Sequence, residues 1–243
     1  MKKVSFLLFL FTALLLSNVC IGQNLNIDKN YTFKTGDNNG IGKWYMGREI
    51  AYVMGFQGIN WLERSEREKE ENVSNLIQNM RIKSNDIIAD IGAGSGYHVF
   101  RIAPLAKKGL VYAIDIQREM LMTIEKTKEF NKIRNVETIL GSEKSIYLTK
   151  NSVDKILMVD VYHEFNFPVE MIASMKNALK PNGELFLIEY RAEDSNVPIK
   201  KIHKMTEKQA VKEMEAAGFK LKRNIENLPW QHCMVFIKKR ILN

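Results

Sequence analysis

From Asp86 onward the chain alternates between short apolar runs and stretches with helical spacing. The runs Asp86–Ile91, Leu110–Ile116, Val136–Leu140, Asp154–Val161 and Glu184–Tyr190 read as strands. Helices are predicted between them over 97–107, 118–131 and 168–179. Ala178 to Gly183, with Pro181 and Gly183, ends the third of these before the fifth strand. Thr206-Glu207-Lys208-Gln209 has the pattern of a capping box, opening a last helix to about Ala217, which Gly218 stops. Two final strands, around Phe219–Ile225 and His232–Lys239, lie too close together for a crossover and predict an antiparallel hairpin. This pattern predicts an α/β fold: a doubly wound, Rossmann-like, seven-stranded sheet, mainly parallel, closed by an antiparallel C-terminal hairpin.

Upstream the pattern changes. Residues 23–42 are polar and rich in Gly and Asn, and read as an irregular arm. Helices are expected between Lys43 and Met80, where Val73, Leu76, Ile77 and Met80 fall on one face behind the charged run Glu63 to Glu71. Residues 23–80 thus form an arm and helical cap, and 81–243 the main domain. The first 22 residues have the three parts of a secretory signal peptide: basic Lys2 and Lys3, an apolar run from Val4 to Leu16, and a more polar tail with Cys20 and Gly22 before Gln23. The apolar run is short for a membrane span, so export with cleavage is expected; the alternative is an anchor over residues 4–21.

Composition narrows the function classes. The formal charge of +8 falls to +6 once Lys2 and Lys3 leave, and it is spread along the chain. With no Lys/Arg block, reader motif or basic-aromatic patch, nucleic acid is not an expected partner. Cys233 alone would remain, so no internal disulfide and no cysteine metal site is expected.

The chemistry concentrates at predicted strand ends. Asp90-Ile91-Gly92-Ala93-Gly94-Ser95-Gly96 joins the first strand to a helix, and its glycines let a ligand lie against the backbone. Asp115, Asp160 and Glu189 end later strands, where ligands bind in doubly wound sheets. A dinucleotide fingerprint needs its third glycine at the position of Tyr97, so the spacing fails by one.

These residues resemble the class I S-adenosylmethionine-dependent methyltransferases, closest to quinone-biosynthesis and related small-molecule enzymes. The acid-x-G-x-G-x-G loop, Tyr112-Ala113-Ile114-Asp115, the Leu179–Leu185 turn and the terminal hairpin carry the resemblance, over about residues 70 to 240. It implies S-adenosyl-L-methionine as cofactor: Gly92, Gly94 and Gly96 along the methionine moiety, Asp90 near its amino group, Asp115 on the ribose hydroxyls and Ile116 against the adenine. Where the family often has Gly-Asp-Ala, this chain has Gly141-Ser142-Glu143, so Ser142 and Glu143 take the adenine-facing place. Asp160 belongs to the same cofactor cleft.

Methyl transfer from a sulfonium needs mainly alignment, and a base only for a protonated nucleophile. Asp160-Val161-Tyr162-His163-Glu164-Phe165 lies where the family approaches the methyl group. His163 is the expected base, with Tyr162 and Glu164 orienting it or the acceptor; a structural role in packing a loop is the alternative. Arg191 is a candidate clamp for an anionic substrate, or else pairs with Glu189 or Glu193. His163, Glu164, Glu189 and His203 could gather into a metal site, but no HExxH-type spacing supports one and no metal is expected. Trp44, Trp61 and His203 are candidate lid residues. The expected activity is methyl transfer to a small-molecule acceptor. The rival is an exported, non-catalytic S-adenosylmethionine-binding protein of the same fold.

Overall fold

The computed structural model describes residues 29–239. The predicted signal or anchor, within residues 1–22, lies outside them. Among the described residues no helix is long and apolar enough to cross a membrane.

The main sheet has seven strands: β4 (Ile87–Ile91), β5 (Leu110–Asp115), β6 (Val136–Leu140), β7 (Val153–Val159), β8 (Leu179–Tyr190), β9 (Phe219–Asn224) and β10 (Gln231–Lys238). Their order is β6-β5-β4-β7-β8-β10-β9. The first five are parallel, and β10 runs antiparallel between β8 and β9. β4 therefore lies between β5 and β7, and the chain reverses its direction of strand addition beside it. That reversal opens a crevice at the C-terminal ends of β4, β5 and β7. The strands are buried on both faces, one apolar cluster containing Ile156, Leu185 and Met234 and the other Ile88, Leu157 and Phe186. Near-continuous apolar runs are what a parallel sheet covered by helices requires.

Helices α5 (Arg118–Phe130), α6 (Pro168–Ala178) and α7 (Glu207–Ala216) match the sequence reading closely. The Thr206 side chain accepts from the Gln209 amide at 3.1 Å, as the capping pattern requires. Helix α4 is shorter than expected, Val99–Ile102 rather than 97–107. Pro104 has no amide to donate and ends it after one turn.

The N-terminal region departs most from expectation. Instead of an irregular arm and helices from Lys43, it begins with an antiparallel sheet of β1 (Tyr31–Phe33), β2 (Gly40–Tyr45) and β3 (Arg48–Ala51). Met46 (φ 50°) and Gly47 (φ 98°) link β2 to β3, and Tyr45 pairs with Arg48 across them. Two central residues at positive φ make the tight hairpin whose twist suits adjoining strands. Three helices follow: α1 (Ile59–Leu62), α2 (Arg67–Glu71) and α3 (Val73–Asn79). The expected apolar face of α3 does bury Val73, Leu76 and Met80.

The charged run before it is not a solvated back face. Arg67 and Glu71 are 4% and 1% exposed. Arg67 Nε donates to Glu71 Oε2 at 2.7 Å, Arg64 Nη2 to Glu71 Oε1 at 2.6 Å, and the Tyr190 hydroxyl to the same oxygen at 2.9 Å. This buried network ties the helical cap to the end of β8. Removing one partner of a buried ion pair leaves the other charge uncompensated. Glu71→Ala should therefore cost about 3–5 kcal/mol, measured by urea unfolding; a loss below about 1 kcal/mol would mean the network does not hold the cap.

Candidate functional site

The crevice encloses a cavity of about 420 Å³. Its floor begins with the glycine loop after β4. Gly92, Gly94 and Gly96 have φ of 70°, 54° and 85°, a region that costs any residue with a Cβ. Packing reinforces this: an added Cβ would lie 2.5 Å from Val161 Cγ2 at Gly92, 2.6 Å from Leu62 Cδ1 at Gly94 and 2.7 Å from Phe100 Cε2 at Gly96. Gly92 and Gly94 line the cavity, whereas Gly96 does not and instead lets the loop seat on Phe100 and Ile124. Tyr97 stands where a dinucleotide loop would place its third glycine. Its ring is held between the guanidiniums of Arg101 and Arg67, at 3.5 and 4.4 Å.

Asp115 ends β5 beside this loop and lines the cavity. Its Oδ2 accepts from the Gly94 amide at 3.0 Å and its Oδ1 from the Gln117 amide at 2.9 Å. Burial raises its pKa, and the backbone amides oppose that rise. The carboxylate thus fixes the loop and retains lone pairs for a ligand's hydroxyl groups. Ile116 lines the cavity beside it and is 39% exposed, an apolar surface left uncovered. Val53, Met54 and Trp61 of the cap and Ile146 and Met171 extend the apolar walls.

Glu143 and Ser142 line the cavity after β6. The Ser142 hydroxyl oxygen accepts from the amides of Lys144 and Ser145 at 3.3 and 3.1 Å. It thereby closes its own turn, while the neighbouring Glu143 carboxylate accepts from Asn166 Nδ2 at 3.1 Å. Asp160, at φ 50°, also lines the cavity. Its Oδ2 accepts from Gln231 at 2.6 Å while its buried Oδ1 has no partner. Burial, then Glu71 and Glu189, push its pKa well up.

Asp90 is 2% exposed, does not line the cavity, and its Oδ2 lacks a partner. The place expected for it near a ligand's amino group is therefore set back from the cavity surface, behind the glycine loop that it precedes in sequence. Burial pushes its pKa up to about 7, against the pull of nearby Arg67.

The far end of the cavity is formed after β7. His163, 2% exposed, pairs Nδ1 with Glu189 Oε2 at 2.7 Å, and Arg48 Nη1 donates to its carbonyl at 3.0 Å. Its Nε2 faces His203 Nδ1 at 3.1 Å and Glu164 Oε1 at 3.9 Å. Burial works to lower the His163 pKa, but the Glu189 charge and hydrogen bond, with Glu164, carry it upward. Burial, then His163 and Lys200, lower His203 to about 4, and burial raises Glu164 to about 7.

Two candidates sit elsewhere. Tyr162 is fully buried, does not line the cavity, and donates to Glu213 Oε2 at 2.6 Å, where Arg48 also pairs at 2.9 Å. Its side chain belongs to the core, because the turn that points His163 into the cavity points its neighbour away. Arg191 pairs with Glu226 at 2.5 Å, a partner the sequence did not suggest, and does not line the cavity. Of the proposed lids, Trp61 and His203 line the cavity; Trp44 stacks under Lys34 instead. Sequence reasoning missed Leu62, Arg64, Arg67 and Glu71, all cavity-lining residues of the cap. The three charged residues among them, set in a run of like character from Glu63 to Glu71, offered no apolar period to reveal burial.

A family model described as a methyltransferase domain matches residues 82–238. The chain is 32% identical over 120 residues to a tRNA U34 carboxymethyltransferase of Pseudoalteromonas atlantica, covering 49% of this chain and 35% of that one. It is 30% identical over 105 residues to a ubiquinone/menaquinone biosynthesis C-methyltransferase of Wigglesworthia glossinidia brevipalpis, covering 42% of each. The matches thus span less than half the length of these curated relatives. A structure of a SAM-dependent methyltransferase from Aquifex aeolicus superposes with a TM-score of 0.71 at 24% identity, covering 76% of this chain and 98% of that one. That likeness establishes the fold.

The buried, unpartnered Asp90 sets a pH dependence. Its pKa is about 7 when folded and 3.8 in the reference state, so the folded chain binds more protons between those values. Asp90 therefore withdraws stability as pH rises from about 4 to 7. Asp90→Asn should stabilise the ligand-free protein at pH 8, with the gain over wild type shrinking to nothing by about pH 4 in denaturant titrations. A gain independent of pH would contradict this.

Proposed function

We propose that this chain, which belongs to the methyltransferase domain family, is a class I S-adenosylmethionine-dependent methyltransferase acting on a small-molecule acceptor. One observation carries the reading: a single cavity joins Gly92, Gly94, Asp115 and Ile116 at one end to His163, Glu164 and His203 at the other. The first end suits the cofactor. Glycine backbone meets the methionine moiety, Asp115 takes the ribose hydroxyls, and Ile116 with Glu143 faces the adenine. The second end is then the acceptor corner.

In the reaction a lone pair of the acceptor attacks the methyl carbon in line with the sulfur. The carbon–sulfur bond breaks, its electrons stay on sulfur, and S-adenosylhomocysteine leaves as a neutral thioether. The residues around the corner chiefly align the acceptor, since the sulfonium is already a good leaving group. An acceptor that arrives protonated needs activating, and the Nε2 lone pair of His163, backed by Glu189 on Nδ1, is the group placed to do so. The corner lined by His163, Glu164 and His203 inside this cavity suits a small-molecule acceptor. The relative named as acting on tRNA makes a nucleic-acid acceptor the specific alternative. The leader pattern of residues 1–22 further supports export.

Isothermal titration should show S-adenosylmethionine binding that Asp115→Ala abolishes while far-UV circular dichroism is retained. His163→Asn should keep that affinity within about twofold and lower turnover by about 10²–10⁴-fold. With methyl-labelled cofactor and fractionated cell extract, label should enter the small-molecule fraction. Label in tRNA would overturn the acceptor class, and binding without any transfer would favour the non-catalytic reading.

A further inference from the structure

The acceptor corner has an arrangement of donor atoms that methyl transfer alone does not require. His163 Nε2, His203 Nδ1 and Glu164 Oε1 form a triangle with sides of 3.1, 3.7 and 3.9 Å. The point equidistant from all three lies about 2.1 Å from each, within the bonding range of zinc to imidazole nitrogen and carboxylate oxygen. We propose that His163, Glu164 and His203 bind a divalent first-row transition-metal ion, with an open coordination position facing the acceptor. The role of that open position rests on the reading of this corner as the acceptor end; the ion's binding does not.

The surroundings match what a metal centre of this kind needs. The second nitrogen of His163 is held by Glu189 at 2.7 Å, the carboxylate–histidine arrangement that fixes the tautomer and strengthens a metal-bound imidazole. Glu164 Oε1 also accepts from the Met54 amide at 3.2 Å, which orients the carboxylate. Arg48 donates to the His163 carbonyl at 3.0 Å and so braces the turn carrying two of the ligands. The third comes from a separate short helical turn, Lys201–His203. Glu164 and Glu189 are 8% and 0% exposed, and among the described residues neither has a lysine or arginine ion-pair partner within 4 Å. Lys200, the nearest lysine in the lining, donates to Asn39 at 2.7 Å, and Arg48 is engaged by Glu213. Two buried carboxylates facing two imidazoles leave a deficit of positive charge that a cation fills.

A second cluster of potential ligands, Glu207, Glu226 and His232, shows the contrast. There Arg191 already pairs with Glu226, and the His232 ring nitrogens meet Arg191 and Glu193. At the acceptor corner, among the described residues, no lysine or arginine pairs with Glu164 or Glu189. Two histidines and one glutamate with an open position form a donor set for zinc or ferrous iron, unlike the all-oxygen shell preferred by magnesium. An acceptor hydroxyl or thiol on the open position would be acidified by the ion and release its proton to water before attacking the methyl carbon. In that form His163 activates the acceptor through the metal.

The test uses the full chain, stripped with a chelator and titrated with Zn²⁺ by calorimetry and with Co²⁺ by visible absorption. About one ion per chain should bind, with cobalt d–d bands of a low-coordinate site and Mg²⁺ at least about 100-fold weaker. His203→Ala and Glu164→Gln should abolish the bands; His203, 24% exposed, can be cut back without opening the core. Glu189→Gln should weaken Zn²⁺ binding about 10–100-fold. Absence of the bands in wild type, or Zn²⁺ affinity unchanged in His203→Ala, overturns the site. S-adenosylmethionine titrated on the same samples reads the methyl-transfer proposal separately, so failure of either leaves a distinct signature.

Discussion

No room exists for a Cβ where β4 gives way to the glycine loop, and the rest of the site follows from that constraint. Each of the three glycines combines a positive φ with a neighbour closer than a side chain would tolerate: Val161 after β7, Leu62 of the cap, Phe100 of α4. The close approach brings three separate parts of the chain onto one loop. It also aims the Gly94 amide at the Asp115 side chain, while the Gly92 and Ala93 amides donate to the Ile114 carbonyl, so the loop is fixed to the end of β5. The cavity exists because the sheet reverses its order beside β4, and it is polar at its floor because backbone rather than side chain forms that floor.

Charge is organised around the same loop. Asp90, Asp115, Asp160, Glu164 and Glu189 gather at the strand ends, and burial raises the pKa of the first four. Arg67, held by Glu71, supplies opposing charge from the cap. This excess of buried carboxylate is costly in an empty site. It suits a ligand bearing hydroxyls and an amino group at one end and, at the other, a cation held by His163, Glu164 and His203. The two halves of the cavity thus draw on one feature, carboxylates placed at strand ends with too few lysines and arginines beside them.

The main sheet was legible because its elements carry local signals. Apolar runs of five to seven residues, the capping box at Thr206 and the stop at Pro181–Gly183 place β4 to β10 and α5 to α7 within a residue or two, apart from β8, which begins five residues early at Leu179. The loop's identity was legible through Tyr97, whose bulk excludes a dinucleotide fingerprint. The N-terminal sheet was not, since β2 and β3 alternate weakly and their turn depends on Met46 at positive φ, a residue with no turn preference. The burial of Arg67 and Glu71 left no local trace, because it depends on Arg64 and on Tyr190, which lies more than a hundred residues away in sequence. The direction of Tyr162 depends on its bond to Glu213, 51 residues away. The gathering of His163, Glu164 and His203 was noticed but lacked a local spacing to support it, because the third residue arrives from a separate turn.

The central claim is that one cavity holds the cofactor over the glycine loop and presents its methyl group to the His163 corner. A crystal structure of the protein with S-adenosylhomocysteine tests it most directly. The account predicts ribose hydroxyls on Asp115, the amino-acid portion along Gly92 and Gly94, and the sulfur facing His163, Glu164 and His203. A ligand seated elsewhere, or one whose sulfur points away from that corner, would contradict it.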